Sequence, residues 1–282
     1  MELPVDEAKA QVREAARQAA PWVERLARLG YAARGVVYFV VGLLAVRAAF
    51  GSGRPAGPGG ALETILRQPL GRVLLGVVAL GLAGYALWRL VQAVLDPEHK
   101  GSDGKGLLKR AGSALSGVLY AGVALAAARM ALGSPGGGDG GDGEARHWTA
   151  VLLQQPAGRW LVALVGAGIA AYGAYQLYRV HASSPTKRLD VARLDPRARQ
   201  WLERGGRLGW AARGVVFGVM GIFVVRAALQ YDPGEARGLQ GALRTLQEQA
   251  YGPWLLGVVG MGLMAYGVFE LVKARYRRIR PG

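Results

Sequence analysis

The sequence contains no cysteine. Disulfides, thiolate nucleophiles and thiolate metal centres are therefore excluded. Histidine is nearly as scarce: His99, His147 and His181 are all there are, and none falls inside an apolar stretch. The apolar stretches also lack a carboxylate pair, a His-x-x-x-His pair and a Ser/His/Asp set. No catalytic constellation can be assembled from them, so no enzymatic activity, metal or cofactor is expected. Charge is sparse as well, at 19% of residues against about 25% in ordinary soluble domains. What charge exists is lopsided, with 35 Lys and Arg against 19 Asp and Glu. No cleavable signal is expected, because Glu2, Asp6, Glu7, Lys9, Arg13, Glu14 and Arg17 interrupt any apolar start. Residues 1–21 read instead as a charged helical segment.

Hydrophobic length is abundant. Six apolar runs cover Tyr31–Phe50, Val73–Leu95, Ala111–Leu132, Trp160–Tyr178, Ala211–Leu229 and Trp254–Val272. Three of them contain 16 consecutive residues without a charge or an amide: Val73–Trp88, Trp160–Tyr175 and Trp254–Phe269. Such a core spans about 24 Å as a helix at 1.5 Å per residue. A few flanking residues complete a crossing of about 30 Å of hydrocarbon. A soluble bundle is the weaker reading, since six helices this apolar leave too little polar surface to cover them. The predicted fold is all-α, with six transmembrane helices.

The runs form three pairs. Trp22–Phe50 and Trp201–Leu229 are identical at 18 of 29 positions at a shift of 179. The phrase GYAARGVVY at residues 30–38 returns as GWAARGVVF at 209–217. A weaker copy places Gly112, Gly117, Tyr120 and Arg129 opposite Gly30, Gly35, Tyr38 and Arg47. The second helix of each pair repeats too: QPLGR at 68–72 returns as QPAGR at 155–159 and, degraded, as QAYGP at 249–253. Gly81 and Tyr85 correspond to Gly168 and Tyr172, then to Gly262 and Tyr266. The unit is a helix pair used three times, with repeats at 22–98, 107–182 and 200–278.

Six spans put both termini on one side. That side carries 25 Lys and Arg and the other 10. The bias predicts cytoplasmic termini. It also explains the basic balance without nucleic acid, which would call for a basic groove interleaved with aromatics. Anionic lipid headgroups at the basic loops are the expected partner, and no protein partner is indicated. On the other side, GSPGGGDGGDGEARH at 133–147 reads as a flexible acidic connector. Its Asp139, Asp142 and Glu144 lack calcium-loop spacing. Leu62, Ile65 and Leu66 share one face of a short helix expected to lie in the outer interface and to end at Pro69 or Gly71.

Tandem pairs with a Gly-x-x-x-Arg-Gly-Val-Val-Tyr-like entry and a Gln-Pro-x-Gly-Arg turn resemble a bacterial integral membrane family, domain-of-unknown-function family 1206. The resemblance covers about residues 22–278. It implies a bacterial plasma-membrane location and three repeats, and brings no known activity with it. Repeat two departs from the pattern, with Ser116 in place of the entry arginine.

The arginines within the spans are the candidate sites. Arg34 and Arg213 stand where a helix enters from the basic side, and membrane-entry anchoring by snorkelling is the plain reading. Arg47, Arg129 and Arg226 occupy equivalent places near the other face. They either snorkel outward or, if the repeats close about an axis along the membrane normal, form a ring for an anion or lipid phosphate. Arg89, Gln176 and Glu270 form a second equivalent set near the inner ends of the even helices. Glu270 needs a partner there: Lys273 or Arg275 nearby, or Arg89 across the axis. Gly214 and Gly218, and Gly35 and Gly42, offer small-residue stripes for close helix approach, and the tyrosines four after a glycine are read as core packing. The functional expectation is a non-enzymatic membrane protein with a structural, accessory or lipid-interacting role. The alternative is a small transporter or channel, with an anionic solute as its candidate cargo.

Overall fold

The computed structural model describes residues 5–94, 103–134, 142–189 and 195–276, with side chains described from Arg25 onward except those of Leu26, Lys105, Leu108, Lys187 and Arg188. Among these residues there are long helices α1 (Val5–Ala49), α3 (Gly71–Val94), α4 (Gly104–Ala131), α6 (Gly158–Ala182), α7 (Pro196–Gln230) and α9 (Gly252–Tyr276). Shorter helices α2 (Pro58–Leu66), α5 (Asp142–Leu153) and α8 (Leu239–Gln247) lie between the partners of each pair. All six long helices are long and apolar enough to span a membrane. The charged N-terminal segment does not form a separate element, because α1 runs unbroken into the first span.

The repeat is visible in how helices stop. Gly51 and Gly133 take positive φ after α1 and α4, and Tyr231 does so after α7. In each case the next amide returns to a carbonyl in the last turn: Ser52 to Arg47, Ser134 to Arg129, Asp232 to Ala227. This is the left-handed closure that satisfies orphan carbonyls. The even helices begin on Gly71, Gly158 and Gly252. A Cβ at any of the three would collide with the last carbonyls of the preceding short helix, which is why the repeated turn keeps glycine there.

The short helices are caps. α2 buries Ala61, Leu62 and Ile65, and α8 buries Leu239, Ala242, Leu243 and Leu246. These apolar faces pack on the bundle core. Leu66 packs partly buried against the same core. Of the connector acids, Asp142 accepts amides of Gly238 and Gly241 at 2.8 and 3.0 Å, capping α8. Asp139 lies outside the described residues.

The long helices pack cyclically. The even helix of each repeat lies against the odd helix of the next: α3 on α4, α6 on α7, α9 on α1. Glycines permit the approach. A Cβ at Gly42 of α1 would stand 2.5 Å from the Met264 amide nitrogen of α9, and one at Gly173 of α6 2.6 Å from that of Gly218 of α7. With no hydrophobic drive between helices in lipid, such contacts supply the packing. Within repeats one and three, α1 packs on α3 and α7 on α9. In repeat two α4 and α6 do not form such a packed pair. The bundle is therefore a ring of six helices open at one place.

Candidate functional site

The interior of the ring holds a cluster of arginines and aromatic rings inside the spans. Each entry phrase puts a polar residue four before an aromatic, one helical turn away: Arg34 and Tyr38 on α1, Arg213 and Phe217 on α7, and, with serine in place of arginine, Ser116 and Tyr120 on α4. Each even helix adds Tyr85, Tyr172 or Tyr266 from the glycine face. Arg34 donates to the Tyr85 hydroxyl at 2.5 Å. Arg213 donates to Tyr266 at 2.9 Å and to Tyr172 at 3.3 Å.

Rings surround both guanidinium groups. The Arg34 carbon lies 5.0–5.6 Å from the centroids of Tyr38, Tyr85, Tyr120 and Tyr266. That of Arg213 lies 4.6–5.8 Å from Tyr38, Tyr172, Phe217 and Tyr266. The rings meet edge to face, Tyr38 with Tyr266 at 5.0 Å and Tyr85 with Tyr120 at 4.8 Å. A desolvated cation over an aromatic face gains about 2 kcal/mol, so the box replaces part of the hydration each guanidinium loses.

Arg34 and Arg213 are thus buried rather than snorkelling, which corrects the anchor reading. Arg34 sits seven residues into its span, about 10 Å at the helical rise. An isolated helix offers only the headgroups as a partner at that depth. The assembled repeats offer phenol hydroxyls and π faces nearer by.

The second equivalent set completes the site. Arg89 donates to Gln92 at 2.9 Å, Arg179 to Gln176 at 3.2 Å, and Lys273 to Glu270 at 2.6 Å. Each pair is three residues apart on its own helix, and each spans the same two columns of the repeat. These groups also reach the next repeat. Arg89 donates to Ser116 at 3.1 Å, and Glu270 lies 3.7 Å from Arg34. Repeat two lacks an entry arginine, and Arg89 brings a guanidinium to that place from repeat one. Glu270 pairs with Lys273 on its own helix and with Arg34; Arg89 is committed to Gln92 and Ser116, so the cross-axis Arg89–Glu270 pair is not formed. Among the described residues Arg275 makes no contact with Glu270; its carbonyl accepts from Arg28 at 2.8 Å.

Charge here is unbalanced. Arg34, Arg89, Arg179, Arg213 and Lys273 lie within the spans, whereas Glu270, beside Arg34 and Lys273, is the one buried carboxylate among the described residues. The Nε atoms of Arg34, Arg89 and Arg213 and Oε2 of Glu270 are buried without a hydrogen-bond partner among the described residues.

The outer arginines are not brought together. Arg47, Arg129 and Arg226 are all exposed. Arg226 lies 3.5 Å from Glu235 and stacks 5.5 Å from the Phe223 centroid. A ring of these three is corrected to three separate surface groups. His147 and His181 are exposed, and His99 lies outside the described residues.

The sequence reading passes over Gln92 and Arg179, yet the signal is present. Aligning the three even helices places Gln92, Arg179 and Lys273 in one column, three after Arg89, Gln176 and Glu270.

Six apolar spans in three tandem pairs, closed around buried arginines and tyrosines, define a multi-span membrane protein. The chain belongs to the Domain of Unknown Function family DUF1206, whose model matches residues 29–96, 111–181 and 208–277. It is similar to the uncharacterized protein YxxB of Bacillus subtilis (strain 168), at 35% identity over 259 residues, covering 92% of this chain and 93% of that protein. No solved structure matches.

Proposed function

We propose that the protein is a non-enzymatic component of a bacterial plasma membrane that binds anionic phospholipid, with both termini cytoplasmic. One observation carries the reading: Arg34, Arg89, Arg179, Arg213 and Lys273 lie inside the spans, in the half of the membrane nearer the termini, and Glu270 is the one buried carboxylate there among the described residues. An excess of buried and half-buried cations favours an anion, and guanidinium groups bind phosphate through charge-assisted hydrogen bonds. The 25 basic residues on the terminal side support the cytoplasmic placement and attraction to the anionic leaflet.

The test is competition. Detergent-purified protein is exchanged with equal phosphatidylglycerol and phosphatidylcholine and examined by native mass spectrometry. Phosphatidylglycerol is expected to be retained at least ten-fold over phosphatidylcholine, and equal retention of the two would count against the reading. The cysteine-free chain permits a topology check. Ser52→Cys and Ser134→Cys are expected to react with an impermeant maleimide in intact cells, and His181→Cys only after permeabilisation.

The second reading, a small transporter or channel for an anionic solute, draws on the depth of Arg34 and Arg213 within the spans. It predicts anion flux in proteoliposomes that falls on Arg213→Gln.

A further inference from the structure

The ring of helices is open between α4 and α6, and the sequence shows why. In repeat one, Ala33 and Leu29 of α1 meet Gly81 of α3; a Cβ on Gly81 would lie 2.6 Å from the Ala33 methyl. In repeat three, Ala212 meets Gly262 in the same way, at 2.5 Å. The reverse contacts close the same pairs, Gly30 against Tyr85 and Gly209 against Tyr266. Repeat two keeps both glycines but not the contact. A Cβ at Gly112 or Gly168 would meet no atom within 4 Å. The residue equivalent to Ala33 and Ala212 is Leu115, whose isobutyl group cannot enter the space an alanine methyl fills. Leu115 is exposed. The apolar packing is divided accordingly. Ala124, Ala127 and Met130 of α4 join the main core, whereas Val162 of α6 belongs to a separate cluster with α5 and α7.

The opening reaches the cationic centre. Tyr85 and Tyr266 are 3% and 2% exposed, but their counterpart Tyr172 is 41% exposed. The Tyr172 hydroxyl accepts from Arg213, whose Nε is buried and unpartnered. Ser116 and Arg89 stand on the α4 side of the same opening, joined at 3.1 Å. Arg179 stands on the α6 side, 3.9 Å from the Trp210 ring centroid. None of these three arginines has a carboxylate partner among the described residues; Glu270 faces Arg34 and Lys273 on the opposite side.

The geometry points to the α4–α6 opening as a lateral port in which one anionic phospholipid seats its phosphate against Arg89, Arg179 and Arg213, with an acyl chain between the two helices. This rests on the anionic-lipid reading above and names its route and contacts. The occupant follows from chemistry. At the opening it passes exposed Leu115 and the bare faces of Gly112 and Gly168, which require an apolar chain. At the inner end it meets three cations, which require an acid. A free inorganic anion satisfies only the second requirement, and a helix from a second copy only the first.

The experiment fills the port. Gly168→Trp and, separately, the smaller Gly168→Leu are placed where repeat two has space, so the fold is retained. Gly76→Trp serves as control, since a Cβ at Gly76 also meets nothing within 4 Å. Bound phosphatidylglycerol is counted by native mass spectrometry beside Arg89→Gln and Arg213→Gln. The port predicts at least a ten-fold loss of phosphatidylglycerol in Gly168→Trp, a smaller loss in Gly168→Leu, a loss in both arginine variants, and wild-type binding in Gly76→Trp. Loss in the arginine variants with full binding in both Gly168 variants would overturn the port and leave the anionic-lipid reading standing. Full binding in all variants would overturn both. Lipid-free protein is also heated with inorganic phosphate. Stabilisation of wild type and Gly168→Trp to the same extent as by phosphatidylglycerol would assign the cations to a soluble anion and overturn the port.

Discussion

Replacing Glu270 with glutamine is expected to lower the stability of the purified protein by about 3–5 kcal/mol, the usual consequence of breaking a buried ion pair from one side. In a chain of this size that corresponds to a fall in the thermal midpoint on the order of 10 °C. The reason is local. Glu270 is fully buried, 2.6 Å from Lys273 and 3.7 Å from Arg34. Among the described residues its carboxylate is the only negative charge beside Arg34 and Lys273. Removing it leaves Arg34 facing phenols alone, which supply π faces and hydroxyls but no countercharge. A double variant, Glu270→Gln with Arg34→Gln, removes the orphaned cation as well and is expected to recover part of the loss. A thermal-melt double-mutant cycle in lipid-free detergent measures this. A coupling energy below about 0.5 kcal/mol would mean that the pair is not energetically joined.

Gly42→Leu is expected to be at least as damaging, by overpacking rather than by charge. A Cβ at Gly42 would lie 2.5 Å from the Met264 nitrogen and 2.6 Å from the Gly260 carbonyl oxygen. Both are helix backbone and cannot move aside as a side-chain tip can. Accommodation requires α1 and α9 to separate, which also draws Tyr38 from Tyr266 and loosens the box around both arginines. Overpacking in a tight core costs about 1–3 kcal/mol when only side chains must adjust, and here the adjustment falls on a helix pair. The expected result is loss of the monodisperse peak in fluorescence-detected size exclusion. Gly76→Leu, made where the space is open, is expected to leave the peak unchanged. Survival of Gly42→Leu with an unaltered midpoint would show that the α1–α9 contact is dispensable.

The spans were legible because hydrocarbon sets a length, and runs such as Val73–Trp88 meet it. The threefold repeat was legible because Trp22–Phe50 and Trp201–Leu229 keep most of their residues. Arg34 and Arg213 were misread for a physical reason. A snorkelling argument treats one helix in a featureless slab, whereas these groups find partners on neighbouring helices that no single run reveals. The outer ring failed for the complementary reason. Arg47, Arg129 and Arg226 lie at helix ends, where the surface is near and the cap regions offer partners such as Glu235. The opening in repeat two was harder to read, because its glycines are retained. Only the change from Ala33 and Ala212 to Leu115 betrays it, and that change has meaning only once Gly81 and Gly262 are known to receive the alanines.

The α1–α9 junction joins the first span to the last. Gly42 finds its place against Gly260 and Met264, more than two hundred residues later in the chain. At a translation rate of about 5–20 residues per second, the first helix waits roughly 10–40 seconds in the bilayer before its mate leaves the ribosome. Throughout that interval its glycine face is sheltered only by lipid or by the insertion machinery. A chain that stalls or is cut before the final helix would leave that seam unmatched, a mark by which quality control could tell an unfinished molecule from a finished one.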